Sequence, residues 1–222
     1  MERVICLLIG YVFGLFQTAY IYGRLHGIDI RNYGSGNAGT TNTLRVFGTK
    51  AGLLVLLGDI LKCILAVAIT GAIFKTTHGD EVYLLKMYAA AGAIVGHNFP
   101  FYLKFKGGKG IAATAGLILS FHPYLIPMGL ILFFGAFFTT HYVSLGSLLV
   151  YAGFFVELVI LGQMGILGMT QPLLIEMYVI AGILTVMAYW KHRENIKRLL
   201  SGTERKTYLT HKNKDEKDKA ES

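Results

Sequence analysis

Three short polar segments interrupt an oily chain, and each holds residue types that bind phosphate. The first reads Gly34-Ser35-Gly36-Asn37-Ala38-Gly39-Thr40-Thr41-Asn42-Thr43-Leu44-Arg45. Its glycines leave backbone N–H groups approachable, its Ser, Thr and Asn side chains add neutral donors, and Arg45 supplies a planar fork that matches phosphate bidentately. The segment contains GxGxxG, but a dinucleotide fold would need a strand before it and an acidic residue on a second strand. Asp59 has that spacing and lies in an apolar run instead. An anion cradle and a capped turn into the next helix both fit these residues. The second segment, Lys106-Gly107-Gly108-Lys109-Gly110-Ile111, opens a helix whose first N–H groups and dipole suit an anion. It is not a Walker A loop, because Leu103 and Gly110 stand where Gly and Ser/Thr are required; a basic turn at a membrane surface is its plainer reading. The third, His192-Arg193-Glu194-Asn195-Ile196, continues from the last apolar run and sets His192 and Asn195 on one helical face. A histidine there serves as a base or orients a hydroxyl, and the cluster also suits an interfacial anchor.

The elements that must position these segments are membrane helices. The chain has 222 residues, 54% hydrophobic and 15% charged, against about 25% charged in soluble domains, and its mean hydropathy is +0.52. About 20 apolar residues cross the roughly 30 Å hydrocarbon layer. Val4 to Gly23 is one uncharged run, too long for a signal-peptide core, and Ala51 to Phe74, broken by Asp59 and Lys62, is a second. Met87 to Leu103 is a third. From 111 to 156 there are 46 residues without a formal charge, which as one helix would measure about 69 Å. That run must fold back, at His122-Pro123 and again at Thr139 to Tyr142, giving segments near 111–121, 123–138 and 143–161. The first of these is short enough to be tilted or re-entrant. A last span runs from Pro172 to Trp190. Cys6 and Cys63 lie inside apolar runs and read as small buried hydrophobes.

Basic residues orient the chain, since cytoplasmic loops collect Lys and Arg. The two loops and the C-terminal region hold 17 of the 21 Lys and Arg residues. Placing all three on one side requires an even number of crossings between them. The expectation is an all-α polytopic bundle of seven transmembrane helices, with the N-terminus outside, the C-terminus cytoplasmic, a single domain over 1–205 and a basic, disordered tail over 206–222. The net charge of +8 suits an anionic leaflet, and no nucleic-acid recognition module accompanies it.

Taken in order, the segments resemble the bacterial membrane family of acyl-phosphate:glycerol-3-phosphate acyltransferases. That family has a GSGN-type loop ending in arginine, here Gly34 to Arg45; GHxFP followed by FKGGKG, here Gly96-His97-Asn98-Phe99-Pro100 and Phe105 to Gly110; and an HxxNI helix, here His192 to Ile196. Asp59-x-x-Lys62 and Tyr142-x-Ser144-Leu145-Gly146 are weaker matches. Ala38 stands for the family's proline, Thr40 for its alanine, Cys63 for the glycine after the lysine and Ala112-Ala113-Thr114 for its Ala-Thr, so the first loop is less rigid than the family pattern.

The resemblance implies transfer of a fatty acyl group from acyl phosphate to the 1-hydroxyl of glycerol 3-phosphate, with no cofactor and no metal. It implies catalytic roles around glycerol 3-phosphate for Ser35, Arg45, Lys104, His192 and Asn195. Substrate contacts are expected from Gly34, Gly36, Asn37, Thr41, Asn42, His97, Gly107, Gly108, Lys109, Gly110 and Ser144, with the glycine turn near the acyl phosphate. Either His192 or a substrate phosphate takes the hydroxyl proton, the substrate-assisted route being preferred. Asp59 and Lys62 are expected to form a buried pair under the site. Partners are the two substrates, the bilayer and the enzyme that supplies acyl phosphate. A transporter for a phosphorylated solute is the alternative; it would want polar groups near the midplane on broken helices. The HxxxxD signature of other glycerolipid acyltransferases is absent, because no histidine has Asp five residues later.

Overall fold

The computed structural model describes residues 1–208; the expected tail from 209 onward lies outside them. Among the described residues there are ten α-helices and no strand: α1 Glu2–Gly14, α2 Thr18–Leu25, α3 Thr40–Phe47, α4 Thr49–Phe74, α5 Val82–Asn98, α6 Ile111–Phe121, α7 Leu125–Thr140, α8 Val143–Gln163, α9 Gln171–Lys191 and α10 Arg193–Leu200. Four stretches are long and apolar enough to cross a bilayer: Glu2–Leu25, α4, α8 and α9. Helix α6 has eleven residues, a rise of about 17 Å, so it does not by itself bridge the hydrocarbon layer.

The apolar runs became helices in the expected order, with two differences. The first run is not continuous: α1 stops at Gly14 and α2 starts at Thr18. Gln17, almost fully buried, sits in the break and donates its amide to the carbonyls of Gly14, Gly96 and His97. The ammonium of Lys62 takes the carbonyl of Phe16 at 2.8 Å. Tertiary partners thus satisfy backbone groups that an uninterrupted helix would have kept to itself. The third run is shifted toward the N-terminus, covering Val82–Asn98 rather than 87–103. Leu84 and Leu85 are fully buried and belong to its packed face, and Pro100 bars Phe99 from the helical region. The same rule acts at His122, whose backbone is extended (φ −151°, ψ 135°) before Pro123.

Helix α5 is the centre of the bundle, packing on α1, α4, α6 and α9. Its face is built from small residues. Ala89, Ala90 and Ala93 are fully buried, and Gly92 and Gly96 oppose Gly10 and Gly14 of α1 so closely that their Cα atoms and backbones touch. Backbone approach of this kind replaces hydrophobic burial as the packing force in lipid. The outward faces remain apolar: Leu53, Leu57, Leu61 and Ile73 on α4, and Ile183 and Val186 on α9, are more than half exposed, as expected of helices that are apolar all round.

A Cβ at position 92 would run into the carbonyl of Leu7 and stand 2.8 Å from the amide nitrogen of Tyr11. Gly92→Val is therefore expected to destabilise the bundle by about 2 kcal/mol or more, seen as a lower thermal unfolding midpoint in detergent, whereas Gly135→Ala, at a position with open space, leaves the midpoint near wild type.

Candidate functional site

The first loop is built around Asn42. Its amide donates to the carbonyls of Ile30 and Tyr33, and its oxygen accepts the N–H of Ser35 at 2.7 Å. Both donors thus hold the loop together. The turn needs left-handed backbone at Gly34 (φ 61°) and Gly36 (φ 73°), which glycine adopts without a Cβ penalty. At Gly34 a Cβ would also overlap the Asn42 oxygen. Asp29 accepts from both the N–H and the guanidinium of Arg31, whose free arm reaches the carbonyl of Leu103 and ties the first loop to the second.

In the second loop the N–H groups of Gly107 and Gly108 donate to the carbonyls of Asn98 and His97, the last turn of α5. These two amides are bonded within the fold, and their glycines permit close packing. A Cβ on Gly107 would overlap the His97 carbonyl, and one on Gly108 would overlap His97 Nε2. What the turn does supply is Gly110, left-handed at φ 86°, as the entry to α6.

The loops and α10 meet at one end of the bundle around a cavity of about 410 Å³. Of the expected site residues, Gly34, Ser35, Gly36, Asn37, Thr41, Asn42, Arg45, His97, Lys109, Gly110, Ser144, His192 and Asn195 line it. Lys104 does not. It lies with Lys106, Gly107, Tyr20 and Tyr102 in an adjoining cleft of about 460 Å³ that shares Gly36 with the cavity. Pro100 and the short helical turn Phe101–Leu103 swing the chain outward, and Lys104 and Phe105 follow with left-handed backbone (φ 55° and 60°).

Four helices begin at this cavity. Gly39 to Thr41 open α3, Gly110 to Ala112 open α6, Val143 and Ser144 open α8, and His192 to Glu194 open α10, and all of these residues line it. The first N–H groups of α3, α6 and α8 have no intrahelical partner and their dipoles place partial positive charge there, whereas α10 continues from α9 and the His192 N–H is bonded to the Ala188 and Tyr189 carbonyls. Arg45, Lys109, Lys191, Arg198 and Arg205 add formal charge. Arg45 donates to the Thr207 hydroxyl at 2.9 Å, and Lys191 donates to the Asn98 carbonyl while lying over the Phe99 ring.

Glu204 was not legible as a site residue. Its carboxylate accepts from Ser144 (2.8 Å), Asn195 (2.7 Å) and Arg198 (2.8 Å). Burial opposes its charge, but those hydrogen bonds together hold it below the ordinary carboxylate range. Lys109 donates to the oxygen of Asn195. Burial, aided by Arg198, lowers the Lys109 ammonium to about 8. His192 is lowered to about 4 by burial and then by Lys109, so it is neutral near pH 7. Its Nδ1 lies 2.8 Å from the carbonyl of Ala188. A carbonyl only accepts, so Nδ1 carries the proton and Nε2 keeps its lone pair.

Beneath the cavity Lys62 and Asp59 pair at 2.8 Å, both nearly fully buried, as expected. Sequence reasoning missed Ser147, Lys191, Arg198, Glu204 and Arg205 as cavity residues. Glu204, Arg205 and Thr207 adjoin the expected tail boundary, where charge density signals solvent rather than packing; yet the chain stays packed through Thr207, which is 2% exposed and donates its N–H to the His141 carbonyl. Among the described residues no group of three or more His, Cys, Asp or Glu side chains could hold a metal ion.

Comparison with known proteins agrees with this architecture. The family model described as glycerol-3-phosphate acyltransferase matches residues 4–202. A glycerol-3-phosphate acyltransferase of Halalkalibacterium halodurans is 42% identical over 210 residues, spanning 93% of this chain and 96% of the relative. One from Mycoplasmopsis synoviae is 38% identical over 219 residues, spanning 92% and 94%. Among solved structures, the glycerol 3-phosphate form of PlsY (YgiH), an integral membrane glycerol 3-phosphate acyltransferase, superposes with a TM-score of 0.80 at 28% identity, covering 94% of this chain and 96% of that one. The lysophosphatidic acid form gives 0.77 at 27% identity, covering 94% and 97%. The chain belongs to the glycerol-3-phosphate acyltransferase family and is an integral membrane acyltransferase.

Proposed function

We propose that this enzyme transfers a fatty acyl group from acyl phosphate to the 1-hydroxyl of glycerol 3-phosphate, giving 1-acylglycerol 3-phosphate and inorganic phosphate. The observation that carries this reading is the convergence of three helix N-termini, those of α3, α6 and α8, with Arg45, Lys109 and Arg198 on one cavity beside lipid-facing helices. Two phosphorylated reactants repel each other, and fixed dipoles and cations in a partly dry site offset that repulsion and stabilise the developing oxyanion. The acyl chain lies against the apolar outer faces while its phosphate and glycerol 3-phosphate meet over Ser35 and Gly36. Lys104 and Lys106, from the adjoining cleft, face the second phosphate.

In the reaction the glycerol oxygen attacks the acyl carbonyl, the bond from that carbon to the phosphate oxygen breaks, and inorganic phosphate leaves. His192 Nε2 accepts the hydrogen bond of the attacking hydroxyl and so orients it. At about 4 the imidazole is a weaker proton acceptor than a phosphate monoester dianion, whose second pKa is about 6. That order favours a substrate phosphate as the final proton acceptor. Asn195, held between Lys109 and Glu204, keeps the ammonium aimed into the cavity.

The same reading places the protein in the bacterial plasma membrane with seven crossings, the N-terminus outside, and the cavity and C-terminus cytoplasmic, where the enzyme that makes acyl phosphate delivers its product. Domain 1–205 carries the reaction.

Purified enzyme given acyl phosphate and glycerol 3-phosphate in metal-free buffer is expected to form lysophosphatidate. Arg45→Ala should lose about 100-fold or more in kcat/KM while remaining inserted; activity near wild type would contradict its role. Lys109 is an ammonium below about 8 and neutral above, so anion affinity is present at lower pH and lost as pH rises through that value. The KM for glycerol 3-phosphate should climb above about pH 8 in the wild type, and Lys109→Met should raise it at pH 7 and flatten the dependence.

A further inference from the structure

We infer that Lys62 is a positioning residue that fixes His97 as the neutral tautomer protonated on Nε2, a hydrogen-bond donor presented to an anionic oxygen in the cavity. Nothing in the motif spacing relates these residues, which are 35 positions apart and belong to α4 and α5. The Lys62 nitrogen stands 2.8 Å from His97 Nδ1, 2.8 Å from the Asp59 carboxylate and 2.8 Å from the Phe16 carbonyl. An ammonium has three donors and no acceptor. It donates one hydrogen to each of these three partners, and Nδ1 must be the accepting nitrogen. The ring's proton then resides on Nε2.

Asp59 does not compete for the ring, since its nearest oxygen is 3.7 Å from Nδ1, outside hydrogen-bond range. That same oxygen also accepts from Thr18. The His97 backbone is pinned as well, its carbonyl accepting from Gln17 and from the N–H of Gly108, while the ring is held through Nδ1 by Lys62. On its far side Nε2 abuts Gly108, where any Cβ would overlap it, and His97 lines the cavity. The bare glycine is what makes room for this nitrogen at the cavity wall.

His192 in the same cavity has the opposite tautomer, fixed by the Ala188 carbonyl. One imidazole therefore offers a donor and the other an acceptor. A donor suits the phosphoryl or carbonyl oxygen on which negative charge resides or develops, and an acceptor suits the hydroxyl. The identity of the anion rests on the acyl-transfer reading above; the tautomer does not.

The test is a long-range proton–nitrogen correlation spectrum of the full chain in detergent, labelled with nitrogen-15 histidine at pH 7, with His97 assigned by the signal lost in His97→Gln. The wild type should show a neutral ring protonated on Nε2, and Lys62→Met, which removes the ammonium, should move His97 to a mixture or to the Nδ1-protonated form. A wild-type ring protonated on Nδ1 or doubly protonated overturns the inference, as does an unchanged tautomer in a folded Lys62→Met. Should that variant not fold, the wild-type spectrum alone decides. Kinetically, His97→Gln places an amide donor near the Nε2 position and His97→Asn does not reach it. The Gln variant should retain kcat/KM about tenfold above the Asn variant, in line with a hydrogen bond to a charged group; equal loss removes the donor role. Absence of acyl transfer by the wild type would instead strike the proposed reaction and leave the spectroscopic result intact.

Discussion

A single buried ammonium ties together the three elements that form the floor of the site. Lys62 bonds α4 to the break between α1 and α2 through the Phe16 carbonyl, to its own helix through Asp59, and to α5 through His97. Taking such ions out of water costs several kcal/mol apiece, and the arrangement holds because each hydrogen of the ammonium has an acceptor. Without the break in the first helix the Phe16 carbonyl would be bonded within its own helix and one hydrogen of the ammonium would lose that acceptor. Gln17 completes the clamp by bonding the last carbonyls of α5.

From that floor the rest follows by short connections. The carbonyls of His97 and Asn98 hold Gly108 and Gly107, these place Gly110, and Gly110 starts α6 at the cavity wall. Opposite, Asn42 gathers the first loop so that α3 begins at the same cavity. The C-terminal segment closes the far side: Glu204 joins α8 to α10, and Thr207 joins Arg45 to the end of α7. Glu204 is the carboxylate in the midst of the cations, and it keeps Arg198, Asn195 and Ser144 ordered.

Much of this was legible in the residues. Apolar runs marked the helices, Pro123 marked a stop while the third run was carried past Pro100, and the three polar segments that carry phosphate-binding chemistry do meet, because they occupy the same end of the bundle. Other features left no local trace. The break at 15–17 lies in an uncharged stretch whose need for it comes from Lys62, forty-odd residues away. The glycines at 107 and 108 look like an anion loop, and only the position of α5 reveals that their amides are already bonded. Lys104 looks contiguous with Lys109, yet two left-handed residues turn it into another cleft. Glu204 and Thr207 read as solvated tail because charge and hydroxyls near a terminus carry no sign of what they will touch. The alignment of four helix starts is a property of the assembled bundle alone.

The most direct check on the site is an experimental structure of this chain crystallised in lipid with glycerol 3-phosphate. The phosphate is expected in the cavity, within hydrogen-bond reach of Lys109 or the first N–H groups of α6, with a glycerol hydroxyl turned toward His192 Nε2. Density for the ligand at the bilayer midplane or at the opposite end of the bundle, with this cavity holding solvent, would contradict the assignment.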